Sequence, residues 1–103
     1  MKLSLVATAL LALTSTVAMA QNINQRKVDQ QDRIAQGVRS GQLTARETAH
    51  LEGREASINR EEYRMRRADG GHLTRFDRAA LTHRQNRVSR AIYRDKHNAF
   101  HRG

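Results

Sequence analysis

Three sets of side chains in this sequence have types and spacing that could do chemistry. His97 and His101 stand four residues apart, so a helix running through both would set two imidazoles on one face. Two such nitrogens can begin a zinc, copper or nickel site, with Asp95 as a nearby oxygen donor. Glu47 and Asp77 each close a Gly-x-Leu-x-x-x-acid segment, and carboxylate oxygens are what calcium requires. The third set is arginine. Arg66, Arg67, Arg84, Arg87, Arg90 and Arg94 fall at helical spacings, and a guanidinium fork suits bidentate contact with phosphate or carboxylate.

Covalent catalysis has little to work with. Cysteine is absent, and neither G-x-S-x-G nor H-E-x-x-H occurs. Ser40, Ser57 and Ser89 have no recognisable base and orienting group beside them in sequence. The expectation is a protein with no catalytic residues, no cofactor and no enzymatic activity.

The elements that must hold these side chains begin with a leader. Met1-Lys2 is a short positive start, Leu3 to Val17 is apolar or small, and Ala18-Met19-Ala20 is a small-x-small cleavage site before the polar Gln21. That is the three-part layout of a Sec-type signal peptide. The apolar run is shorter than the roughly 20 residues that span a bilayer. Residues 1–20 are therefore expected to be cleaved after Ala20. The mature chain, 21–103, would then be a single small helical domain that works in the periplasm or outside the cell, with no transmembrane segment.

Charge and composition narrow the partners. The chain has 19 Lys+Arg against 10 Asp+Glu, a net charge of +9, and no proline or tryptophan. In a cytosolic protein this balance would suggest nucleic acid. Export and few stacking aromatics (Tyr63, Phe76, Tyr93, Phe100) argue against it. Lipid phosphates and other envelope polyanions are the expected counterparts. Leu, Ile, Val and Phe make up less than a fifth of the residues after Ala20, so the core is thin. Either the helices dock weakly, or a partner or second copy, as in a homodimer, completes the core.

The chain matches itself at an offset of thirty residues. Gly41-Gln42-Leu43-Thr44 returns as Gly71-His72-Leu73-Thr74, and Glu47, Leu51, Arg54, Ile58 and Arg60 return as Asp77, Leu81, Arg84, Val88 and Arg90. Each unit, about 41–60 and 71–90, reads as a helix stop at glycine, a tight loop and a helix start. Thr44 with Glu47 forms a capping box, and Thr74 with Asp77 a version weakened by the shorter acid. The result is all-α: helices over about 24–39, 44–68 and 74–99, joined by two short glycine-containing turns. Leu51, Ile58 and Met65 make a narrow stripe in the second, with little between them. Leu81, Val88, Ala91 and Ile92 line the third, interrupted by Arg84, and Val28, Ile34, Ala35 and Val38 are the apolar offer of the first.

The Gly-x-Leu-x-x-x-acid segments resemble the back half of an EF-hand loop, where a glycine turns, an aliphatic residue follows and an acid closes the loop. The early ligand positions would fall on Gln36, Val38 and Ser40, and on Arg66, Ala68 and Gly70, none of them a carboxylate. The loops are thus expected to be structural helix-loop-helix turns of EF-hand-like shape. The chain also resembles small exported bacterial proteins with paired G-x-L-T-x-x-E repeats, which implies a compartment and a fold but no activity. Leu43-Thr44-x-x-Glu47 and Leu73-Thr74-x-x-Asp77 are similar in type to the L-T-x-x-Q motifs of Spy-like periplasmic stress chaperones. That likeness implies unfolded protein clients held on a helical surface.

The leading expectation is an exported, non-enzymatic protein whose arginine-rich helical face binds anionic envelope components or unfolded polypeptides. A divalent-metal binder using the loops or the C-terminal histidines is one alternative. A structural component of a larger assembly is another.

Overall fold

The computed structural model describes residues 23–102, with side chains through residue 98. The expected signal peptide and its cleavage site lie outside the described residues. Three helices account for the described chain: α1 over 23–40, α2 over Ala45–Ala68 and α3 over Arg75–Arg102. Among the described residues there is no strand, and no helix is long and apolar enough to cross a membrane.

Local chemistry sets the boundaries. α1 ends where Gly41 takes a positive φ of 77° and its N–H reaches the Val38 carbonyl at 3.2 Å. Leu43 then folds back, donating its N–H to the Gly37 carbonyl at 3.0 Å and laying its side chain over Gly37. α2 starts with a closed capping box: the Glu47 N–H donates to Thr44 Oγ1 at 3.1 Å, and the Thr44 N–H donates to Glu47 Oε1 at 3.0 Å. The second turn repeats the device. Gly70 and Gly71 both have positive φ, and the Thr74 and Asp77 N–H groups exchange bonds of 3.1 and 3.0 Å with the partner side chain. The shorter acid of this second box reaches its target as well as the glutamate does.

α2 packs on α3, and α1 lies along one side of the pair. Its contacts run from Lys27–Glu62 to Gln31–Glu52 on α2 and from Gln30–Gln85 to Arg33–Lys96 on α3, so α1 is antiparallel to α2 and parallel to α3, and α2 and α3 are antiparallel to each other. The apolar core comprises Ile23, Ile34, Leu43, Leu51, Ile58, Leu81, Val88, Ala91 and Ile92, with Met65 and Leu73 packed at its edge. Val28 and Val38, offered by sequence as part of the first helix's apolar face, are half exposed. The buried face of α1 instead runs through Ile23, Gln30, Ile34 and Gly37, a spacing that alternates between three and four residues or their sum.

The gaps in the apolar stripes are filled by polar side chains. Glu55 and Glu62 in α2, Gln85 in α3 and Gln30 in α1 are all buried. Gln30 Nε2 donates to the Gln85 carbonyl and to Ser89 Oγ, each at 2.8 Å, and Gln85 Nε2 donates to the Ile23 carbonyl at 2.9 Å. Lys27 of α1 hydrogen-bonds and ion-pairs with Glu62 of α2. The seams of α1 are thus largely polar, while the α2–α3 seam is apolar.

Candidate functional site

The side of the α2–α3 pair that faces away from α1 carries a cleft of about 230 Å³, lined by Arg54, Ser57, Ile58, Arg84, Arg87 and Val88. Its floor is apolar because Ile58 and Val88 belong to the core. Its walls are guanidinium and hydroxyl groups because the helical period puts residues one to four positions away on the flank of the same seam. Arg84 forms an ion pair with Glu61, one turn from the cleft. Among the described residues no ion pair engages Arg54 or Arg87. The six lining residues are three pairs separated by the repeat length of thirty: Arg54 with Arg84, Ser57 with Arg87, and Ile58 with Val88.

The six arginines singled out in sequence do not share this cleft. Arg84 and Arg87 line it. Arg66 turns toward α1's side, where its Nε donates to Glu62 at 2.9 Å and its Nη1 to the Gly71 carbonyl at 3.2 Å. Arg67 lies over the Tyr63 ring, 5.8 Å from its centroid. Arg94 Nε stands 3.8 Å from Asp95, and Arg90 is exposed away from the cleft. Arg54 and Ser57 escaped the sequence reading as binding residues. The repeat held the signal for Arg54, since it is the counterpart of Arg84.

Three acids of α2, Glu52, Glu55 and Glu62, lie on the opposite flank, toward α1. Burial pushes the Glu55 carboxyl up to about 6, with Glu52 adding to the rise and Lys27 opposing it, and its Oε1 has no hydrogen-bond partner. Burial also acts to raise Glu62, but hydrogen bonds from Lys27 and Arg66 outweigh it and hold that carboxyl below the ordinary value.

The metal candidates are committed to local contacts. Glu47 and Asp77 serve the two helix caps. A hydrogen bond with Asp77 raises the Asp69 carboxyl, and the Thr74 backbone N–H lowers Asp77. The His97 ring stacks on Tyr93 with centroids 3.7 Å apart, and its Nδ1 lies 2.7 Å from the Tyr93 carbonyl oxygen. The His101 side chain lies outside those described. Among the described residues no group of three histidines or acids is placed to hold a metal ion.

Fold and site together define an all-α, three-helix protein with a basic interhelical cleft. Comparison with protein-family models, with curated proteins and with solved structures finds no match.

Proposed function

We propose that the chain is an exported, non-enzymatic protein that binds anionic envelope surfaces through the outer face of α2 and α3. The observation that carries this reading is the cleft. Arg54 and Arg87 line it without a carboxylate partner among the described residues, whereas Arg66 and Arg84 are engaged by Glu62 and Glu61. The acids Glu52, Glu55 and Glu62 lie toward α1, so attraction for an anion is strongest on the side that α1 leaves open. The leader-like N-terminal sequence supports export.

Co-sedimentation of the chain with lipid vesicles tests this. Binding is expected to vesicles of phosphatidylcholine mixed with phosphatidylglycerol, but not to phosphatidylcholine alone. It should weaken as salt shortens the screening length from about 10 Å at 0.1 M toward about 3 Å at 1 M. Equal binding to both vesicles, or binding indifferent to salt, would overturn the electrostatic reading.

A further inference from the structure

We infer that the α2–α3 cleft is a discrete seat for one phosphoryl group per chain, recognised along a local two-fold axis. The inference rests on the anionic-surface reading and gives that surface a centre and a ligand chemistry. Three observations carry it. The first is symmetry: the lining is the same three repeat positions contributed twice, by two antiparallel helices. Antiparallel helices carrying equivalent residues are related by a two-fold axis through their seam, so Arg54 and Arg84 approach the centre from opposite walls. The second is charge. Glu61 offsets Arg84, which leaves Arg54 and Arg87 as the cleft cations without an ion pair among the described residues, a match for a phosphate monoester carrying between one and two negative charges near neutral pH. The third is size. About 230 Å³ is the share of liquid volume of roughly seven or eight waters, enough for a partly hydrated tetrahedral oxyanion. It lies below the ~300 Å³ at which pockets for whole drug-sized ligands begin.

Phosphoryl fits better than carboxylate. A carboxylate is planar and is satisfied by one guanidinium fork. Three guanidiniums and the Ser57 hydroxyl supply donors from several directions, which suits the oxygens of a tetrahedral group. The apolar floor of Ile58 and Val88 keeps water from one side and strengthens each charge-assisted bond. The group can arrive as free phosphate or as the headgroup of a lipid.

The test compares two double variants of the chain. Arg54→Gln with Arg87→Gln strips the cleft. Arg60→Gln with Arg90→Gln removes the same charge from another repeat-related pair, which lies outside it. Arg87→Gln alone, at an exposed position, covers the case in which the first pair fails to fold. Binding of inorganic phosphate is followed by backbone amide NMR shifts, with acetate as competitor, and binding to phosphatidic acid vesicles by co-sedimentation. The expected result is saturable one-to-one binding with shifts centred on residues 54–58 and 84–88. Affinity should fall about tenfold or more in the cleft variant and less than about threefold in the control. The same variant pattern on vesicles alone, without response to free phosphate, identifies the headgroup as the source and also supports the seat. Equal losses in the two double variants overturn the seat while leaving the anionic-surface reading in place. Equal competition by acetate overturns the phosphoryl assignment. Failure of the unmodified chain to bind either probe removes both.

Discussion

Replacing Glu55 by methionine should stabilise the protein at neutral pH, which is an unusual expectation for a charged residue in a largely polar seam. Glu55 is 3 % exposed, its Oε1 has no hydrogen-bond partner, and burial with help from Glu52 raises its carboxyl from 4.5 to about 6. At ~1.36 kcal/mol per factor of ten in proton affinity, that rise corresponds to roughly 2 kcal/mol of stability lost when the group ionises inside the folded chain. Because the folded value lies above the unfolded one, the folded state holds the proton more tightly. The penalty is absent below about 4.5, grows between about 4.5 and 6, and is constant above that. Methionine is unbranched, similar in length and needs no proton or partner, so it should remove the penalty. Thermal melts by circular dichroism at pH 4 and pH 8 check this. For a domain of this size ~1 kcal/mol moves Tm by about 4–8 °C, so Glu55→Met should raise Tm by roughly 10 °C at pH 8. The gain at pH 4 should be much smaller, within about 1 kcal/mol. A lower Tm at pH 8 would mean that Lys27 more than repays the ionised carboxylate and that the seam is held by charge at this position. A gain of equal size at both pH values would mean that packing, not ionisation, is responsible.

Other perturbations follow from particular contacts. Lys27→Met removes one of the two cations on Glu62, and a loss of about 1–3 kcal/mol is expected above pH 5 by urea titration. That loss should fade as pH drops through the depressed Glu62 value, because a lowered carboxylate contributes only while ionised. Gly37→Ala would set a Cβ 2.6 Å from the Leu43 Cγ and Cδ1, so it should cost about 1–3 kcal/mol and loosen the first turn, read as faster amide exchange at Leu43. Thr44→Ala opens the first capping box and should cost about 1 kcal/mol; Thr74→Ala should cost about the same, since its two bonds match those of the first box in length. A much smaller loss at Thr74 would show that the second box contributes less than its geometry indicates.

The helices and their turns were legible because each rests on short-range chemistry. Thr44 and Glu47 are three residues apart, and Gly41 immediately precedes Gln42 and the folded-back Leu43. The thirty-residue repeat adds a second copy of the same signal. The face of α1 was legible only in part, since apolarity pointed correctly to Ile34 but also to Val28 and Val38, while the packed face runs on through Gln30 and Gly37. Gln30 is buried because Ser89 and the Gln85 carbonyl meet it, and those partners lie more than fifty positions away in sequence. No local pattern encodes that pairing. The site was half legible for the same reason. A helical spacing identifies arginines on one helix, but only the docking of α2 on α3 decides that Arg54, Arg84 and Arg87 share a cleft while Arg66 and Arg67 do not.

The repeat and the polar core also divide the molecule into parts with different tasks. The repeat-related pair α2 and α3 meets through Leu51, Ile58, Leu81 and Val88, and where the repeat is most faithful the outward residues are arginine. At the next buried position the repeat diverges in charge, with Glu55 on one helix and Gln85 on the other, and this is where α1 docks. Two identical polar seams would let α1 dock against either helix in a similar register. Lys27 lies close enough to Glu55 on α2 to stabilise its charge, and the Gln85 side chain on α3 donates to the Ile23 carbonyl, so the asymmetry fixes the position of α1. Placing both Gln85→Glu and Glu55→Gln in one chain exchanges the two polar identities while conserving composition. If α1 is positioned by this asymmetry, the exchange should broaden the NMR signals of residues 23–40 and leave the contacts between α2 and α3 intact; sharp, unshifted α1 signals would show that apolar packing at Ile23 and Ile34 sets the register alone.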